Sequence, residues 1–139
     1  MPLSKTDPTR YAEAGSFMML AKKVANFETF ETTFESPGDA ASFSQRFYTF
    51  RKAVEYRVRE LKEKQHKAQA AKDPAKKAQL WTNEDVEELN IWLPAYEDMK
   101  DIVIRRPGQG QIRMTTLTMD SIENPRSWED KINKFLEKE

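Results

Sequence analysis

The feature that most constrains this chain is a helix that announces its own start. Ser36-Pro37-Gly38-Asp39 offers a capping hydroxyl, a proline suited to the first helical position, and an acid three residues after the cap. Behind it Ala40, Phe43, Phe47, Phe50, Val54 and Leu61 recur at spacings of three and four, skipping one turn near Arg57 and Val58. That rhythm draws one apolar stripe down a helix running to about Ala71, where Asp73-Pro74 must break or kink it. The stripe belongs either to the protein's own core or, through its near-heptad spacing, to a dimer seam. The core is the commoner fate of such a stripe.

The flanking segments supply elements to cover it. Residues Phe27 to Glu35 alternate as a strand, with Phe30, Thr32 and Phe34 on one side and Glu31, Thr33 and Glu35 on the other. Residues 102–106 and 111–117 read as two further strands, joined through Pro107-Gly108-Gln109-Gly110 as a hairpin. Tyr11 to Asn26 suggests a short helix. Thr82-Asn83-Glu84-Asp85 is a capping box opening a helix with Val86, Leu89, Trp92 and Leu93 as its stripe, interrupted at Pro94, with Tyr96 and Met99 as its continuation after a kink. Asn124-Pro125 marks a loop. Ser127 to Asp130 caps a last helix that buries Trp128, Ile132, Phe135 and Leu136. The expected fold is α+β: a small antiparallel sheet, one N-terminal strand plus a C-terminal hairpin, packed on the long amphipathic helix and further helices. Residues 1–10 read as a flexible arm and residues 11–139 as one domain.

Much familiar chemistry has no residues to carry it. Without cysteine there is no thiol nucleophile, thiolate metal site or disulfide, which fits a reducing compartment. The one histidine, His66, sits among solvated lysines and reads as an ordinary surface residue, since a catalytic base needs a partner and a pocket. No Walker or dinucleotide fingerprint occurs. Glu84, Asp85, Glu87 and Glu88 are better read as helix-dipole partners than as metal ligands. No apolar run spans a membrane and no signal-peptide core opens the chain. The expectation is a cytoplasmic, non-enzymatic binding protein with no cofactor and no metal.

The informative feature is where the charges lie. Lys plus Arg and Asp plus Glu balance at 23 each. Yet Arg46 to Lys77 holds eleven basic residues against four acidic ones, and Asn83 to Asp101 holds seven acidic against Lys100 alone. On the basic helix Tyr48, Arg51, Lys52, Tyr56 and Arg59 share a face. Guanidinium groups interleaved with tyrosines suit phosphate contact and base stacking. The site expected from sequence is therefore Arg46, Tyr48, Arg51, Lys52, Tyr56, Arg57 and Arg59 on the helix, joined by Arg105, Arg106, Gln109, Gln111 and Arg113 on a basic hairpin able to enter a groove. The partner would be nucleic acid, DNA favoured. Two alternatives stay open. The basic and acidic helices can neutralise one another side by side. The acidic segment, through Glu87, Glu88 or Asp98, can instead serve a protein partner or mimic the charge of DNA. Homo-oligomerisation is compatible with any of these.

The segment FESPGDAASFSQRFYTFRKAVEYRVRE, about a fifth of the chain, resembles small bacteriophage proteins in its succession of strand, capped turn and Arg/Tyr-rich helix. The resemblance implies a phage or mobile-element origin, with the protein at work inside an infected host cell. It implies no site residue.

Overall fold

The computed structural model describes residues 8–123 and 126–137. Its elements run in order as a 3-10 turn (Pro8–Arg10), α1 (Ala14–Ala25), β1 (Phe30–Thr33), α2 (Pro37–Ala70), α3 (Pro74–Leu80), α4 (Asn83–Met99), β2 (Ile102–Arg105), β3 (Gln111–Thr116), α5 (Leu117–Glu123) and α6 (Arg126–Glu137). The α+β class holds. The three strands form one antiparallel sheet in the order β1-β3-β2.

Local signals fix the helix ends. The Ser36 hydroxyl accepts the Asp39 N–H at 3.1 Å, and Pro37 opens α2. Asp73 caps α3 by accepting the Ala75 N–H at 3.0 Å. The Thr82 box is complete: Thr82 Oγ1 accepts the Asp85 N–H at 3.2 Å, and Asp85 accepts the Thr82 N–H at 3.0 Å.

The phenylalanine stripe is core. Phe47 and Phe50 are fully buried beside Val54 and Leu61, and Phe17 of α1 meets Phe47 edge-on at 5.5 Å between ring centroids. Met99, Ile102, Ile112 and Met114 close the same core from α4 and the sheet. Antiparallel register sets Ile104 opposite Met114 and Phe30 opposite that same Met114. Gly110 turns the hairpin at φ +75°, and a Cβ there would stand 2.6 Å from the Phe34 carbonyl oxygen. Pro8, within the expected N-terminal arm, is buried.

Three expectations are corrected. Pro94 does not interrupt α4, which runs unbroken to Met99; Pro94 and Asn90 both lie on the exposed side, where solvent can reach the carbonyl that the proline cannot serve. β3 ends at Thr116, whose hydroxyl accepts the Met119 N–H at 3.2 Å and so starts α5 at Leu117. The last helix forms, but Ile132, Phe135 and Leu136 are exposed instead of buried. The expected loop at Asn124-Pro125 lies outside the described residues, and so do the side chains on which the expected box at Ser127 to Asp130 and the burial of Trp128 rest.

Candidate functional site

A helix side chain can meet a ligand only if the fold leaves it free, so each cation selected by spacing must be traced to its partner. α2 and α4 lie side by side, and the basic and acidic segments do neutralise one another along part of their length. Arg57 Nε and Nη2 reach Glu88 at 2.5 and 2.7 Å, with Glu60 at 3.1 Å from Nη1. The Glu88 carboxylate, helped by Glu60, holds the Arg57 guanidinium above its ordinary range despite partial burial. One helical turn pair further on, Lys64 Nζ lies 2.9 Å from the buried carboxylate of Asp85.

The other arginines of the helix are also engaged. Arg46 pairs with Glu13 of the turn before α1, which lowers the Glu13 carboxyl and raises the guanidinium. Arg51 donates to the carbonyls of Ile102 at 2.8 Å and Met99 at 3.3 Å. Tyr48 is half-buried, accepts the Ile104 N–H at 2.9 Å and carries Arg51 over its ring at 4.6 Å. Arg51 and Tyr48 thus join α2 to the α4–β2 junction.

The hairpin's charge is likewise matched. Strand order and register place Glu31, Arg113 and Arg105 in one row across the sheet, Glu31 opposite Arg113 and Arg113 opposite Arg105. Glu31 pairs with Arg113, and the buried Asp120 of α5 grips Arg105 through two bonds of 2.9 and 2.7 Å. That grip raises the Arg105 guanidinium. With Asp120 of α5 beside its end, the three-residue row becomes acid, base, base, acid and sums to zero. At the tip Arg106, Gln109 and Gln111 are exposed, and Arg106 has no carboxylate partner among the described residues.

What stays outward is a different set. Tyr56 is exposed, with Lys52 and Arg59 at 5.7 and 5.5 Å from its ring centroid. Arg59 also meets Glu55 at 3.1 Å, an exposed i,i+4 pair of little energetic weight. Beyond them Lys62, Lys67, Lys72, Lys76 and Lys77 are all exposed, and none has a carboxylate within ion-pair distance among the described residues. α3 folds back onto the distal end of α2, which brings Lys77 to the same groove as Gln65 and Gln69. In the sequence Glu63 to Ala78 reads as a low-complexity Lys/Ala/Gln stretch, the solvated end of a helical hairpin.

Of the sequence-selected residues, Lys52, Tyr56 and Arg59 thus come together on an open face. Arg46, Tyr48, Arg51, Arg57, Arg105 and Arg113 are spread over internal joints, and Arg106, Gln109 and Gln111 stand apart at the hairpin tip. The exposed lysines of distal α2 and of α3 are the addition. Their signal in the sequence was a lysine-rich helix end followed by Asp-Pro, which folds more lysine back onto it.

Among the described residues no three His, Asp or Glu side chains gather as a metal-binding group, and no helix is long and apolar enough to cross a membrane. Compared with protein-family models, with curated proteins and with solved structures, the chain matches none.

Proposed function

We propose that this chain is a small non-enzymatic nucleic-acid-binding accessory protein, with DNA the favoured polymer, acting in the cytoplasm of a host cell in keeping with its phage-like segment. One observation carries the reading: exposed cations lie along the outer face of α2 and at the α2–α3 corner, and among the described residues all of them but Arg59, which meets Glu55, lack a carboxylate partner. Lys52, Arg59, Lys62, Lys67, Lys72, Lys76 and Lys77 would track phosphates, and Tyr56 would lie against a sugar or base. Arg106, with Gln109 and Gln111, would add a second contact at the hairpin tip. Arg46, Tyr48, Arg51, Arg57, Arg105 and Arg113 serve the interface by holding its scaffold in shape.

The test is a fluorescence-anisotropy titration with labelled DNA at about 50 and about 200 mM salt. Binding should weaken steeply with salt. Replacing Lys67, Lys72, Lys76 and Lys77 by Gln should flatten the dependence by roughly 0.7–0.9 in log–log slope for each phosphate no longer neutralised. A slope unchanged in that variant would exclude the corner.

A second reading, a protein-interaction module, is favoured by α6. Its Ile132, Phe135 and Leu136 are exposed, and an apolar helix face in water is a common docking element. Under that reading DNA does not bind at the lower salt, and a stoichiometric protein complex depends on α6 or on Glu87 and Asp98 of the acidic helix.

A further inference from the structure

The α2–α3 corner holds more than charge. A groove of about 460 Å³ lies at the sheet edge, but it is lined by Glu31 and Arg113, which pair with each other. The groove between α2 and α4 is larger, about 540 Å³, yet Glu55 and Glu63 offset Arg59 and Lys62 on its walls. The corner groove differs from both. It measures about 360 Å³ and is walled by Gln65, Ala68, Gln69, Lys77, Ala78 and Trp81, with no carboxylate among them. That volume lies in the range of small-molecule sites.

Its groups are of three kinds that one nucleotide would use. Trp81 is half-buried, packed against the core, and also borders the groove. Gln65 and Gln69, one helical turn apart on α2, line it with two amides, each both donor and acceptor. Lys77 brings a cation from α3, with Lys76 beside it in sequence. Gln69 and Lys77 are exposed and Gln65 and Trp81 half-buried, so their polar groups are open to water or to a ligand. Polar groups that converge beside an aromatic ring form the recognition set of an unstacked base: a face for stacking, edges for hydrogen bonds, a charge for the phosphate.

We infer that the Gln65–Gln69–Lys77–Trp81 groove is a nucleobase subsite and that the ligand is a single-stranded nucleic acid. The inference rests on the nucleic-acid reading above and narrows it. In a duplex the base faces are stacked inside and unavailable to Trp81, so a duplex would engage only the surrounding lysines.

The experiment is an anisotropy titration of the full chain against labelled single-stranded and duplex oligonucleotides of one sequence, as DNA and as RNA, at about 50 mM salt. Single strands should bind ten-fold or more tightly than duplex. Trp81→Leu keeps apolar bulk but removes the stacking face. It should lose about ten-fold in single-strand affinity, within the range for one stacked base, with duplex binding unchanged. Gln65→Ala/Gln69→Ala favours the helix and leaves the core intact, so it supplies the test if Trp81→Leu weakens folding; it too should lower single-strand affinity. Duplex bound as tightly as single strands overturns the subsite and leaves the nucleic-acid reading standing. So does single-strand binding that the glutamine variant leaves unaltered. Absence of binding to any of these polymers removes both.

Discussion

Arg51, at the middle of α2, donates a 2.8 Å hydrogen bond to the main-chain carbonyl of Ile102, the first residue of β2. A second bond of 3.3 Å reaches the Met99 carbonyl at the end of α4. One guanidinium therefore satisfies two carbonyls at the corner where the chain leaves the helix for the sheet. Arg51→Ala leaves both without that donor and should cost about 1–3 kcal/mol in urea unfolding. Arg59→Ala, on the exposed side of the same helix, should change stability by less than about 0.5 kcal/mol. Equal, small effects at the two positions would sink the clamp. The pair also shows why reversing charge at Arg51 is a poor probe of ligand binding, whereas Arg59 is a fair one.

Phe27 has a positive φ of 66° and is exposed. It follows Asn26 at the end of α1, donating its N–H to Val24 at 2.9 Å while Glu28 donates to Lys23 at 3.2 Å. This is the double closure of a Schellman ending, in which glycine usually takes the left-handed position. A side chain there costs roughly 1–2 kcal/mol, and little of that is recovered by a ring in solvent. Phe27→Gly should therefore raise the urea midpoint, with a net gain of about 1 kcal/mol after the extra flexibility that glycine gives the unfolded chain. A loss of stability would mean that the ring's packing is worth more than the strain.

The sequence carried the local part of the fold because that part is written in neighbouring residues. Ser36 with Asp39, Thr82 with Asp85 and the run from Ala40 to Leu61 each settle an element within a few turns. Thr116 was missed as a cap because Thr115-Thr116-Leu117 continues a strand-like run until its hydroxyl turns to the Met119 amide. The charge pairing was harder to read. Arg57 and Glu88 are separated by 31 residues, and Glu31 and Arg113 by 82. Composition reveals the excess of each sign but not which side chains meet. Only the strand order, with β3 in the middle, lines up Glu31, Arg113 and Arg105. The basic face was therefore legible as a region, but its free members were decided by tertiary register.

Asp85 links the fold to acid. Burial pushes its carboxyl up, but the Thr82 N–H, Lys64 and the Thr82 hydroxyl together outweigh burial and hold it below the ordinary 3.8. A carboxyl lowered on folding stabilises the native state when ionised. That contribution is complete above the unfolded value and fades as pH falls through the lowered folded value. Urea unfolding from about pH 6 down to about pH 2 should show the wild type losing more stability than Asp85→Asn across that window. The variant should already be weaker near pH 6, by about 1 kcal/mol, through damage to the helix cap. Parallel curves for the two proteins would show that Asp85 does not carry this acid sensitivity.

The apolar face of α6 gives the remaining prediction. Ile132, Phe135 and Leu136 are 47%, 69% and 57% exposed, and positions three and four apart share one side of a helix. Had this face been core, Phe135→Ser/Leu136→Ser would cost several kcal/mol through reduced burial and the cavities left behind. Exposed as it is, the double substitution should move stability by no more than about 0.5–1 kcal/mol, chiefly through helix propensity. Sedimentation velocity over a hundred-fold range of concentration supplies the second readout. If copies associate through this face, the wild type grows heavier with concentration and the serine variant stays at monomer mass. If it serves another protein, both remain monomeric and only the wild type enters the complex. A large loss of stability in dilute monomer would instead place the α6 face against the body of the protein, and the protein-interaction reading would lose the observation that favours it.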